Sequence, residues 1–116
     1  SGTFFFLQSD NYQMVQYVRH RDWGGTAVIS LKDDHIINME KLHIDELEGF
    51  PIEMYQYGAH VNHFPTGMDE AIFVLQPMDI LDYVEEHAPE AMDDIKKKIQ
   101  YTSDDQNPVL LVMKLK

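Results

Sequence analysis

The sequence predicts a small α+β domain over residues 1–116, with a mixed or antiparallel sheet of four to six strands and two to four helices. Three observations carry this expectation. Short runs rich in β-branched and aromatic residues, bounded by Gly, Asn and Asp, recur at Thr3–Gln8, Thr26–Leu31 and Ala71–Leu75, and such runs read as strands. The clearest helical repeat of apolar residues lies between Asp79 and Tyr101, where Pro89 makes it a kinked or paired helix. Finally, 116 residues with 44% hydrophobic and 11% aromatic content bury about two-thirds of the surface of the unfolded chain, enough for one core without staples.

In chain order, Thr3–Gln8 is a buried strand closed by Ser9-Asp10-Asn11. From Tyr12 to Asp22 the pattern favours a helix: Asp10 is placed as N-cap with Gln13 three residues on, Met14, Val15 and Val18 follow at helical spacing, and Gly24-Gly25 supplies a stop. A strand with Met14, Gln16 and Val18 on one face is the alternative. Asp22-Trp23-Gly24-Gly25 reads as a turn with an anchoring Trp, and Thr26–Leu31 as a strand. His35-Ile36-Ile37 is the returning arm of a hairpin, after which Asn38 caps a helix from Met39 to Glu48 that Gly49 ends.

Phe50-Pro51 reads as a break, Glu53–Val61 as a strand bulged at Gly58 with Tyr55 and Tyr57 on one face, and Phe64–Gly67 as a loop. Ala71–Leu75 is a central strand by its continuous apolar run. Asp79 is the N-cap of a helix that turns Ile80, Leu81, Val84 and Ala88 inward and ends near His87. Pro89–Tyr101 continues as a second helix with Met92, Ile95 and Ile99 inward, Ser103–Pro108 is a loop, and Val109–Lys116 closes the chain as a strand.

Composition removes whole classes of function. With no cysteine there are no disulfides, thiolate zinc sites, iron–sulfur clusters or cysteine nucleophiles, and the chain suits a reducing compartment, so a cytoplasmic location is expected. The longest apolar runs, Phe4–Leu7 and Val109–Met113, fall far short of the roughly 20 residues that span a bilayer, and the start lacks the basic region of a secretory signal.

The formal net charge is −11, and it is unevenly spread. Residues 1–39 hold four acids against three bases, residues 40–95 fourteen acids against Lys41 alone, and residues 96–116 two acids against five lysines. The candidate binding residues are Asp45, Glu46 and Glu48, and then Asp79, Asp82, Glu85, Glu86, Glu90, Asp93 and Asp94. At helical spacings of three and four, neighbouring carboxylates stand roughly 5 to 6 Å apart and repel.

Two readings compete. In one, the acids favour helix N-termini, Asp93 and Asp94 pair with Lys97 and Lys98, and the charge maintains solubility. In the other, the acidic face receives a basic protein, steered by its field. The second is the expectation adopted: a non-enzymatic module blocking a cationic surface that otherwise holds nucleic acid, such as that of a nucleoid or other DNA-binding protein. The chain resembles small acidic DNA-mimic inhibitors in composition alone, and an immunity protein for a basic toxin or nuclease fits the same charges. Direct nucleic-acid binding is not expected, since Lys96-Lys97-Lys98 adjoins Asp93-Asp94. The expected state is a monomer or weak homo-oligomer.

The enzyme alternative rests on His60 and His63, an H-x-x-H with Asp69-Glu70 downstream and His35 and His43 upstream. Residues three apart on a strand face opposite sides, a poor scaffold for a metal. Neither a glycine-rich phosphate loop, a G-x-S-x-G elbow nor an H-E-x-x-H is present. No metal and no cofactor are expected.

Overall fold

The structure, a computed structural model, describes residues 2–20, 23–54, 56–57 and 63–116. Its strands are β1 (Gly2–Gln8), β2 (Tyr12–His20), β3 (Trp23–Ser30), β4 (Ile36–Met39), β5 (Lys41–Ile44), β6 (Phe50–Glu53), β7 (Gln56–Tyr57), β8 (His63–Pro65), β9 (Glu70–Leu75) and β10 (Val109–Lys114). Two α-helices, α1 (Pro77–His87) and α2 (Met92–Lys98), flank a 3-10 turn at Pro89–Ala91, and a further 3-10 turn spans Asp45–Leu47. The fold is α+β, with antiparallel strand pairing throughout the described residues.

These strands form three sheets rather than one. Strands β1 to β4 make a meander, and β7 joins β3 beside β4; β5 and β6 form a hairpin; and β9 lies between β10 and β8. Sheet and helices meet in a cluster that takes Leu7 and Met14 from the meander, Ile44, Leu47, Ile52 and Met54 from the hairpin region, and Ala71, Phe73 and Leu75 from β9. The helices add Ile80, Leu81, Val84, Ile95 and Ile99. This is the inward stripe that helical spacing predicts, apart from Met92 and Ala88, which are half-buried. Burying each such side chain contributes about 1.5 to 3 kcal/mol.

The expected helix from Tyr12 to Asp22 is overturned, because that segment runs as β2 as far as His20, while Asp22 lies outside the described residues. Ser9, Asp10 and Asn11 make a hairpin turn instead of a helix cap: the Ser9 hydroxyl accepts the Asn11 and Tyr12 amides at 3.3 and 3.1 Å. Alternation along β2 is hidden because adjacent Met14 and Val15 are both buried, at 2% and 8% exposure. Met14 joins the main cluster, whereas Val15 sits opposite Ala27, also buried. Trp23-Gly24-Gly25 is likewise no turn but the start of β3. Gly25 lies across from Tyr17, where an added methyl would come 2.5 Å from the ring.

The helix expected from Met39 to Glu48 is replaced by the end of β4, by β5 and by one 3-10 turn. Leu42 and Ile44 pair with Ile52 and Phe50, so Phe50-Pro51 opens β6 rather than breaking the chain. Gly49 does end a helical turn, but a short one: Glu48 and Gly49 both have positive φ, and the Gly49 amide returns to the Ile44 carbonyl at 2.9 Å. Part of the expected loop at Phe64–Gly67 is β8, an edge strand that tolerates Pro65. Of the strand expected over Glu53–Val61, β7 is described, while Tyr55 and residues 58–62 lie outside the described residues.

The paired helix forms as expected, with shifted caps. Gln76 rather than Asp79 is the N-cap of α1, because Pro77 takes the first helical position, where its missing N–H costs nothing. Pro89 opens its 3-10 turn in the same way, and α2 stops at Lys98, short of Tyr101. The turn from β3 to β4 is held by Asp33, whose carboxylate accepts the His35 amide at 3.1 Å. That bond, helped by the Ser30 hydroxyl, keeps the Asp33 carboxyl below its ordinary value.

Candidate functional site: the acidic face

All ten acids singled out in the sequence are exposed. Asp45 and Glu46 lie in the 3-10 turn after β5, and Glu48 follows it in the left-handed conformation. Asp79, Asp82, Glu85 and Glu86 project from α1, Glu90 from the turn between the helices, and Asp93 and Asp94 from the first turn of α2.

Tertiary contacts bring the two acidic stretches together. The Lys98 ammonium at the end of α2 donates to the Glu46 carbonyl at 3.0 Å. Phe50 of β6 meets Tyr83 of α1 edge to face, with ring centroids 5.6 Å apart. Tyr83 in turn stacks on His87 at 4.1 Å, and His87 Nδ1 donates to the Tyr83 carbonyl at 2.9 Å. A segment distant in sequence is thereby fastened alongside both helices.

None of the ten acids has an ion-pair partner among the described residues. Among the described residues the one ion pair is Lys41–Glu53, at 3.8 Å with both side chains about half exposed, an arrangement worth about 0 to 1 kcal/mol. The pairs of Asp93 and Asp94 with Lys97 and Lys98 that the solubility reading invokes are not formed among the described residues, where Lys98 is turned to the Glu46 carbonyl. Helix dipoles account for Asp79, Asp93 and Asp94, each in a first turn. Glu85 and Glu86 are placed near the C-terminal end of α1, where the dipole is negative and acids are unfavourable.

Beside this face is a groove of about 340 Å³ that the sequence reading did not single out. Phe50, Ile52, Val74 and Leu75 give it an apolar wall, and Glu53 and Asp79 lie at its lining. Its lining comes from β6, the end of β9 and the start of α1, segments distant in sequence, so no local pattern signals it. A larger cleft of about 530 Å³ lies elsewhere, between the β1–β2 turn, Met68 and the 114–116 segment. It is lined by residues of both signs, Asp10 and Asp69 together with Lys114 and Lys116.

Of the histidine pair, His60 lies outside the described residues, and His63 begins β8. His35 and His43 are exposed, with His43 Nδ1 donating to the Gly49 carbonyl at 3.0 Å. Among the described residues no group of three or more His, Asp or Glu is placed to hold a metal ion, and no helix is long and apolar enough to cross a membrane. Comparison with protein-family models, with curated proteins and with solved structures returns no match.

Proposed function

We propose that this protein is a binding module whose acidic face occupies a basic protein surface, one that otherwise holds nucleic acid. The observation that carries the reading is the state of Glu85 and Glu86: exposed, near the unfavourable end of α1, and without a cation at ion-pair distance among the described residues. Such groups cost folding free energy, and a cationic partner recovers it. The excess of negative charge on this face also speeds encounter with that partner.

The groove between Phe50 and Val74 supplies the apolar centre that such an interface needs. Its size suits the aliphatic stem of a lysine or arginine from the partner, with Glu53 and Asp79 meeting the charged head. Binding, not catalysis, is the proposed activity, and the partner is a basic protein in the cytoplasm.

The test combines capture at low salt with competition. The whole chain, immobilised, is expected to retain basic nucleic-acid-binding proteins whose affinity drops steeply between about 50 and 200 mM salt, and which duplex DNA displaces. Replacing Asp82, Glu86 and Glu90 together by Asn, Gln and Gln is expected to weaken the captured partner at least tenfold. Equal affinity of the triple variant and the parent protein ends the proposal.

A further inference from the structure

We propose that the free edge of β10 docks a second copy of this chain, strand against strand and antiparallel, joining two three-stranded sheets into one. The proposal does not rest on the acidic face.

The first support is backbone parity. The Leu115 amide donates to the Asp69 carbonyl at 2.7 Å, and the register then pairs Met113 with Ala71, Leu111 with Phe73 and Val109 with Leu75. Hydrogen-bonded and non-hydrogen-bonded pairs alternate in an antiparallel ladder. The odd-numbered residues therefore spend their amides and carbonyls on β9, while those of Leu110, Val112 and Lys114 point to the open edge. Among the described residues no backbone group meets them there.

The second is the character of that edge. Natural edge strands are blunted by bulges, short length, proline, lysines on the edge or inward charges; of these β10 has one lysine, at its last position, Lys114. The pairing of β10 with β9 runs unbroken from Val109 to Lys114, and Leu110 and Val112 are 62% and 58% exposed. Their cross-strand partners Val74 and Ile72 continue the apolar surface and are half-buried.

The third is charge, which selects the occupant. Asp104 and Asp105 precede the strand, and Lys114 and Lys116 close it. In an antiparallel pair about a two-fold axis at Leu111, Leu110 faces Val112 of the other copy, and Lys114 and Lys116 of each copy lie opposite Pro108 and Gln106 of the other, next to its Asp105. A parallel pair would set lysine beside lysine. Such self-complementarity is the mark of an isologous interface, and with two apolar side chains from each copy it is smaller than the about 1,200 Å² of a standard one. The dimer is accordingly weak, populated at about 0.1 to 1 mM.

Sedimentation velocity and amide hydrogen exchange on the whole chain test this. The expected result is a monomer–dimer equilibrium in which rising protein concentration slows exchange at the Leu110 and Val112 amides. Val112→Pro removes an amide that makes no bond to β9, a place where an edge strand admits proline, and Val112→Lys sets a charge against Leu110 of the other copy. Each is expected to weaken association at least tenfold, as is Lys114→Glu combined with Lys116→Glu. If Val112→Pro fails to fold, the lysine variant and the exchange of the parent protein decide. A chain still monomeric at about 1 mM, or a dimer that both Val112→Lys and the double lysine variant leave intact, overturns the proposal.

Discussion

In α1 and α2 the buried side chains come from one stripe, Pro77, Ile80, Leu81, Val84 and Ile95, and every acid is exposed. In the centre of the meander, consecutive residues of β2 and of β3 are buried: Met14 and Val15 on one strand, Thr26 and Ala27 on the next. The helical region therefore has a face that takes no part in core packing, and charge can be placed there without being buried. The centre of the meander has no such face, and residues 1–39, which contain it, are close to neutral. Charge is concentrated where packing leaves room for it, which is why the acidic face and the core-forming stripe share the same helices.

The largest effect that sharpens this contrast comes from the side chain beneath the helices. Phe73 in β9 is fully buried in the cluster to which α1 and α2 contribute. Phe73→Ala is expected to cost about 3 to 5 kcal/mol, the transfer loss plus a cavity the helices do not collapse into. Denaturant unfolding followed by circular dichroism measures it. A loss under about 1 kcal/mol would mean that the helices are not seated on β9 through that stripe.

Within the meander the next effect is polar. The Thr26 hydroxyl is buried and donates to the Met54 carbonyl at 2.6 Å, tying β3 to the residue after β6. Thr26→Val keeps the shape but leaves that carbonyl without its donor, for an expected loss of about 1 to 3 kcal/mol. The same denaturation experiment reads it. A neutral result would place β3 on a solvated face after all, erasing the contrast with the helices.

The same contrast explains what was legible in the sequence. Helical periodicity survives in α1 because one side of it is wet: Asp82, Glu85 and Glu86 mark the outside as clearly as Ile80 and Val84 mark the inside. The exposure of Asp79, Asp82, Glu85 and Glu86 was legible for that reason; Asp45, Glu46 and Glu48 are also exposed, but in a 3-10 turn and the residue after it rather than on the helix expected there. In β2 the period-two signal vanishes because Met14 and Val15 are both buried, and the hairpin residues Ser9-Asp10-Asn11 are of the types that also cap helices, so the segment reads as a helix. The groove at Phe50 and Val74 was beyond reach, since its walls come from β6 and β9, which are distant in sequence and meet only in the folded chain.

The smallest expected effect has the opposite sign, and it bears most directly on the acidic face. Asp82 and Glu86 stand four residues apart on α1, and Glu86 is also near the negative end of its dipole. Relieving a like-charge pair and an unfavourable dipole contact is worth about 0.5 kcal/mol in total. The triple variant that combines Asp82→Asn, Glu86→Gln and Glu90→Gln is therefore expected to be slightly more stable than the parent protein at low salt. At about 1 M salt the Debye length shrinks to about 3 Å, so the two should converge, the parent having gained more from screening. Thermal melts at the two salt concentrations measure the difference. If the variant is instead less stable at low salt, these carboxylates hold the fold together through contacts of their own, and a face that serves folding is no longer free to serve a partner.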